Sequence, residues 1–526
     1  MACSAGAGAM SIEMIGARSL LFNQSPSPVI SLMIMLSSQM IGYGWAGLLA
    51  PLIVNSPRIV FPSVLPSVTL FNSLYANSDQ SKDQVSFFKK VFLGISFYEI
   101  FPLYIAPALQ AISPWCLALP KTPEISHVFG GSRVGEGLGF LSLSLEWSII
   151  GSEGPLYTPI ESQCNQIFAH VVAIFLFSSA YKLNWFDGGS LPFISFELLD
   201  NNGNAYKTSA VINPDGTENV QAVEELGLPR FSTSYIIGKA FICLALSAAF
   251  STAVMQNFSG LKIMLFDKKK SQVPIKKKLG GLKEFPMWGF YSLLFCSIGL
   301  AFAASNISQS GLSNWGLLVA IMVSFLLSLA SGFFYGTTGI RLHTSPVVQV
   351  LGGLFFPGNA VGTMWFTTYG ASTASQSTLM LKELKLGKYM HIPSFKAVIG
   401  QLAGTVIGVF VDFLVFKSIL NSKREALLSP EGNGIFSGMH LTSFEAQSIT
   451  WGIFGKQLYG AGKIYFFVPC FLLAGLFLPI PIEIFRRKRP NFFLSKIDVA
   501  MIAGTFYKSI QGQYFSYSKI LISKKS

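Results

Sequence analysis

The chain has 526 residues, of which 51% are hydrophobic and only 12% charged, and its mean hydropathy is +0.50. Soluble domains carry about twice that share of charge, so a water-soluble core cannot hide this surplus of apolar residues and the composition defines an integral membrane protein. The net charge of +13 does not mark a nucleic-acid partner: the basic residues stand in short runs between apolar segments, at Lys268–Lys270, Lys276–Lys278 and Arg486–Arg489. That is the pattern of loops kept on the cytoplasmic side.

Taken in chain order, residues 1–27 have no clean apolar core, and their basic residue, Arg18, follows the small-residue run. They read as a disordered N-terminal segment rather than a signal peptide. A helix needs roughly 20 apolar residues to cross a bilayer. Spans are expected at Pro28–Ile53, Val91–Ile112, Phe140–Ile160, Ile167–Tyr181, Tyr235–Val254, Met287–Ala304, Leu317–Phe334, Ala397–Phe416 and Ile464–Ile482, with a short stretch at Val499–Phe506. This defines one transport domain over residues 28–506 and a C-terminal tail at 507–526. With the basic loop 267–285 placed inside, Lys89-Lys90 and Lys382–Lys396 also fall inside, and the acidic loop 181–231 and Ser305–Asn314 fall outside, as the positive-inside rule requires. The sequon Asn306-Ile-Ser308 is then external and Asn257-Phe-Ser259 internal.

Three apolar segments carry an unusual load of helix breakers. The first is Gly42 to Ser63, with glycines at 42, 44 and 47 and prolines at 51, 57 and 62; the second is Trp147–Tyr157. The third, residues 345–380, enters and leaves on the same side and is interrupted by Pro346, Gly352, Gly353, Pro357, Gly358, Gly362 and Gly370, so it reads as a re-entrant pair of half-helices. Non-helical backbone at membrane depth is tolerated only where protein or a water-filled cavity supplies partners, and discontinuous helices around a central site are a device of secondary transporters. The fold class expected is an all-α polytopic membrane protein, a transporter bundle with broken or re-entrant helices. The six cysteines (Cys3, Cys116, Cys164, Cys243, Cys296, Cys470) fall singly, without metal or disulfide spacing. The five histidines form no HxxxH or HExxH pair, so neither an enzyme nor a metal site is expected.

Several stretches resemble the oligopeptide transporter (OPT) family, closest to its fungal peptide-transporter branch. They are Gly42-Tyr-Gly-Trp-Ala-Gly-Leu48, Phe61-Pro62 with Leu70-Phe71-Asn-Ser-Leu74, Phe101-Pro102 with Ala106-Pro-Ala-Leu109, and Glu146-Trp147 with Ile150-Gly151-Ser152 and Thr158-Pro159. Leu191-Pro192 with Tyr206 matches in the outside loop. The most specific block is Gly353-Leu-Phe-Phe-Pro-Gly-Asn-Ala-Val-Gly-Thr-Met-Trp-Phe-Thr-Thr-Tyr-Gly370, followed by Ser375-Gln376 and Leu384-Lys-Leu-Gly-Lys-Tyr-Met-His-Ile-Pro393. The resemblance implies proton-coupled import of tetra- and pentapeptides, and of glutathione, by alternating access, at the plasma membrane, with a vacuolar or other internal membrane left open. No cofactor beyond the proton gradient is implied. The chain departs from the family in lacking its early span and Asn-Pro-Gly motif, in ending soon after Val499–Phe506, in reading His391-Ile-Pro-Ser-Phe395 for Lys-Ile-Pro-Pro-Arg, and in carrying Gln349 where an acidic residue is typical. Two alternatives therefore stand beside transport of peptides: a truncated, non-transporting or regulatory paralogue, and a metal-chelate carrier of a sister branch.

A proton symporter needs a carboxyl or imidazole that moves between wet and occluded states. Glu146 and Glu153, seven residues apart and on one face of an unbroken helix, are the first candidates, followed by Glu99. Asp412 reads as an interfacial partner of Lys417, and Lys239 as a lysine that snorkels to the surface. A site for many peptides grips backbone and termini with polar groups and gives side chains aromatic walls. Gln349, Asn359, Trp365, Tyr369 and Gln376 in the re-entrant block, with Tyr43, Trp45 and Tyr157 on the other broken segments, are the substrate-binding candidates. The partners expected are a small peptide and the lipid bilayer, with oligomeric state open.

Overall fold

Ser27 and Pro28 start the first long helix, the serine hydroxyl accepting from Ile30 N at 3.4 Å and the proline sitting where no N–H is needed. From there α2 (Pro28–Ile53) runs unbroken for 26 residues. The computed structural model describes residues 9–22, 24–75, 79–131, 137–151, 154, 156–213, 216–258, 262, 284–428 and 438–510. Ahead of α2 lies α1 (Ala9–Leu20), whose Met14 and Ala17 are buried. Over Ala9–Leu20 the expected disorder is thus corrected: Arg18 anchors this helix by donating to Ser308 Oγ at 2.6 Å and Gln24 Oε1 at 3.0 Å.

Of the breaks expected within Gly42–Ser63, the one after α2 forms, at 54–61, and those at glycines 42, 44 and 47 are corrected. The glycines of α2 are notches for close helix approach, a use of small residues common in membranes. A Cβ on Gly42 would stand 2.6 Å from Thr373 O, one on Gly44 2.8 Å from Leu294 Cβ, and one on Gly47 inside the Phe290 ring. The chain leaves helix only after Ile53. There Lys385 Nζ donates to the carbonyls of Val54 and Ser56, both at 3.1 Å, a cation where a helix C-terminus favours one.

After α3 (Leu65–Tyr75) and α4 (Asp79–Tyr98), two expected spans do not form among the described residues. Val91–Ile112 ends as α-helix at Tyr98 because Pro102 and Pro107 follow, leaving a π turn and a 3-10 turn. In Phe140–Ile160 the only described helix is Trp147–Gly151; Leu141 and Gly154 have positive φ, and Leu143 pairs back with Ile112.

The remaining long helices follow the sequence pattern with extended ends. They are α5 (Ile160–Lys182), α6 (Thr233–Gln256), α7 (Met287–Ile307) and α8 (Asn314–Thr338). Next come α9 (Ser345–Phe355), α10 (Ala360–Thr367) and α11 (Thr373–Tyr389), with a π turn at Thr368–Ser372 joining the last two. The chain closes with α12 (Ser394–Ser422), α13 (Met439–Gly452), α14 (Phe467–Phe477), α15 (Pro479–Lys488) and α16 (Val499–Ile510). Seven described helices are long and apolar enough to cross a membrane, α14 and α15 counting as one. The outcome is the all-α polytopic architecture expected.

Two packing groups flank the hairpin α9–α11. On one side α2 packs against α7, α11 and α12; on the other α6 packs against α14 and α16, with α5 beyond, and α8 touches both groups. The hairpin itself is asymmetric. Its first arm is the half-helix α9, reached by the non-helical stretch 340–344, and its second is a continuous line from Ala360 to Tyr389. The tip reaches the loops read as external: Ala360 N donates to Gly216 O at 2.9 Å, and Asn359 bridges to Thr217.

Candidate functional site

The π turn places Trp365 and Tyr369 on one face, their rings stacked at 5.9 Å and 17°. Single π turns inside α-helices mark functional sites often. The Tyr369 hydroxyl shares a hydrogen bond of 2.8 Å with Ser37 Oγ of α2. About two turns further, the Gln376 Cβ lies against the notch at Gly42, so Tyr369 and Gln376 line a seam between α2 and the hairpin, with Trp365 stacked on Tyr369.

Helix α2 also carries a residue the sequence reading missed. Gln39 is fully buried, and neither its Oε1 nor its Nε2 has a hydrogen-bond partner. Trp365 Nε1, Gln349 Oε1 and Ser377 Oγ are buried and unpartnered as well. More than nine in ten buried polar groups find a partner in folded proteins, so orphans gathered on the elements of one hairpin and its neighbour call for an explanation. Amide oxygens, an amide N–H2, a hydroxyl and an indole N–H are the complement of a peptide backbone. Gln39 was visible in the sequence as a lone amide in an apolar run; a search confined to ionisable groups passed over it.

The other aromatic candidates are not brought to this seam. Tyr43 points to α12, its hydroxyl 2.6 Å from Thr405 Oγ1, whereas Trp45, two residues on and therefore on the opposite face, donates to Ser324 Oγ of α8 at 2.9 Å. Tyr157 stands beside Gly339 at the far end of α8 from the hairpin tip. Asn359 serves the turn: its Oδ1 caps α10 by accepting from Gly362 N at 2.9 Å. It also lines an open polar cavity of about 370 Å³ with Thr217, Ser305, Asn306, Gln309 and Ser310.

Of the proton candidates, Glu99 and Glu146 are neighbours. Glu99 Oε1 accepts from Trp147 N at 3.0 Å, at the start of the short helix that follows buried Glu146. Glu153 lies outside the described residues, and the shared helical face expected for Glu146 and Glu153 finds no support, because Glu146 precedes the helix. Asp412 makes no ion pair with Lys417 within 4 Å. Lys239 does not snorkel: it is 2% exposed, and Nζ donates to Gln447 Oε1 at 2.7 Å.

Two carboxylates emerge that sequence reasoning did not place. Glu383, assigned to a basic inside loop, is buried on α11, with Oε2 unpartnered and Oε1 3.9 Å from Lys382 Nζ. The signal was the absence of proline between Thr373 and Tyr389, with a lone glycine only near the end, at 387, which lets the hairpin helix run on. Glu445 is buried on α13; that segment is too polar to register as a span, and nothing in its pattern announced it.

A bundle of long apolar helices around a half-helix hairpin, with buried unpartnered polar atoms on Gln39, Gln349 and Trp365, is the architecture of a polytopic membrane transporter. The chain belongs to the OPT oligopeptide transporter family, whose model matches residues 1–522. Among its relatives, oligopeptide transporter 3 of Arabidopsis thaliana is 30% identical over 509 residues, covering 92% of this chain and 67% of that protein. Oligopeptide transporter 2 of the same plant is 26% identical over 522 residues, covering 96% and 70%. Glutathione transporter 1 of Schizosaccharomyces pombe is 25% identical over 523 residues, covering 94% and 60%. The chain thus spans between 60 and 70% of the length of these relatives. No solved structure matches it.

Proposed function

We propose that this chain carries short peptides, including glutathione-like ones, across the plasma membrane by alternating access, drawn by the proton gradient. The observation that supports this best is the set of orphaned groups on Gln39, Gln349 and Trp365. Each is a hydrogen-bonding group that an apolar cargo would leave unpaired, at a cost of about 1–3 kcal/mol apiece, and that a peptide backbone satisfies whatever its side chains. The asymmetric hairpin, a half-helix joined to a long helix through a π turn, supplies the kind of element that rocking around a midplane site needs. For the proton, Glu383 is preferred to Glu146 and Glu99, since it is buried on the hairpin helix itself and close to the seam along α2.

The test is uptake of a labelled tetrapeptide and of glutathione at pH 5 and pH 7.5 by cells making the full chain, beside Glu383→Gln and Glu146→Gln. Uptake stimulated by acid, and insensitive to pH in Glu383→Gln alone, supports the reading. Uptake with no acid stimulation removes the proton. No uptake of either probe by protein verified in the membrane removes the transport reading.

A further inference from the structure

Lys239 lies two turns into α6 and buries its ammonium among neutral groups. Gln447 of α13 accepts one of its N–H bonds at 2.7 Å, and the amide is held in that orientation by its own Nε2, which donates to Ser443 Oγ at 2.9 Å. Two aromatic faces complete the surroundings: Nζ stands 5.2 Å from the ring centroid of Tyr235 and 5.8 Å from that of Tyr507. Among the described residues no carboxylate comes within 4 Å of it.

An ammonium has three donors and a full charge. Here one amide oxygen and two ring quadrupoles offset part of that charge, and no anion does. A buried cation so placed is one negative charge short of neutrality, and removing charge from water without a counter-ion is costly. The position matters too. Both α6 and α13 pack on α9, the half-helix that carries Gln349 with its unpartnered Oε1. The unpaired ammonium and an orphaned hydrogen-bond acceptor therefore belong to one packing unit of α6, α13 and the hairpin's first arm.

We propose that Lys239 is the anchor for the C-terminal carboxylate of the peptide cargo, with Gln447 and the two tyrosine rings holding the ammonium ready for it. This rests on the peptide-carrier reading above and names what fixes the cargo's end. A C-terminal carboxylate is the one anion that peptides of every sequence share. An ion pair closed only when cargo is bound combines broad tolerance of side chains with strict demand for a free carboxyl end.

The experiment uses the full chain, purified and reconstituted in liposomes, with labelled tetra-alanine as the free acid and as the C-terminal amide. The wild-type chain is expected to take up the acid with a KM about tenfold below that of the amide, the size of one modest charge pair. In Lys239→Met the acid's KM rises to the amide's, and the amide's own KM stays where it was. Lys239→Arg keeps the preference for the acid. The melting temperature of Lys239→Met serves as the folding control and is expected to hold or rise, because an apolar side chain of similar length replaces an unpaired buried charge.

Equal handling of acid and amide by the wild-type chain overturns the proposal without recourse to any variant, and so does an unchanged preference in Lys239→Met. Both leave peptide transport intact. A wild-type chain that moves neither probe overturns the carrier reading, and this inference with it.

Discussion

Along α2 one methyl group is enough to disturb the packing, whereas along α4 it meets nothing. Gly42 faces a carbonyl oxygen of the hairpin helix at 2.6 Å from where a Cβ would stand, and Gly94 has no atom within 4 Å of that position. The difference runs through both regions. The seam between α2 and α11 is buried over most of its length, and just before α11 the Ser37 and Tyr369 hydroxyls meet across it. The segment from α4 to Tyr157 consists of short elements whose apolar side chains, such as Phe92, Leu93 and Phe97, are exposed, and which hold together through local bonds such as Tyr98 Oη to Leu145 O at 2.9 Å. An interlocked region transmits a change, and a loosely attached one absorbs it.

The same substitution in the two places is therefore expected to have opposite signs. Gly42→Ala forces a rigid backbone apart and should cost about 1–3 kcal/mol, the usual range for overpacking. Gly94→Ala adds a methyl to open space and removes backbone entropy from the unfolded chain, for a gain of about 0.5–1 kcal/mol. Melting temperatures of the two purified variants in one detergent decide it. A destabilised Gly94→Ala would mean that the α4 segment packs against something after all.

Function should divide along the same line. Glu383→Gln, in the interlocked region, is expected to flatten the pH dependence of uptake, and Glu99→Gln, at the end of α4, to leave it within about twofold, in keeping with a carboxylate whose visible task is to accept from Trp147 N. The comparison breaks if the two variants exchange behaviours in uptake measured at pH 5 and pH 7.5.

Smaller effects are expected from the interhelical hydrogen bonds of α2. Tyr369→Phe removes the bond to Ser37, and Trp45→Phe the bond to Ser324. In membrane bundles such bonds average about 0.6 kcal/mol. Tyr369→Phe should nevertheless lower peptide affinity more than Trp45→Phe at equal stability, because only Tyr369 stacks on the orphaned Trp365 indole. Thermal shift and KM from one preparation separate the two.

How much of this was legible in the sequence depended on which physical signal carried it. Long spans were, because about 20 apolar residues in register announce themselves whatever their neighbours. The hairpin block stood out too, through the prolines and glycines that interrupt it between positions 346 and 370. Glycines were ambiguous in one dimension: at positions 42, 44 and 47 they signalled a break, and only the approach of Thr373, Leu294 and Phe290 shows that they make room. Val91–Ile112 and Phe140–Ile160 failed for the reverse reason, since hydropathy does not register that prolines at 102 and 107 or a positive φ at Leu141 end the helix. Buried polar residues were the least legible. Gln39, Lys239 and Glu445 acquire meaning from partners, or from the want of them, across helices far apart in sequence.

The smallest effect expected lies in the periphery, in the loop read as external. Asp200 is only partly covered, yet its Oδ1 accepts from Asn202 N at 2.8 Å and Asn204 N at 2.9 Å. The backbone bond from Asn204 first, then that from Asn202, holds its carboxyl below the usual range. A depressed carboxyl contributes its support above the unfolded value and loses it as pH falls through the folded one, so the turn should be unaffected between pH 7.5 and pH 5 and loosen only below about pH 4. Hydrogen exchange at Asn202 and Asn204, corrected for intrinsic rates, is expected to show slow exchange at pH 5 in the wild-type chain and faster exchange in Asp200→Ala. Melting temperature and uptake should stay unchanged in that variant. A drop in melting temperature would tie this loop to the interlocked core through the contacts of its neighbour Tyr206, whose ring meets Phe454 edge-on at 6.2 Å, and the line drawn between the two regions would then have to move outward to include it.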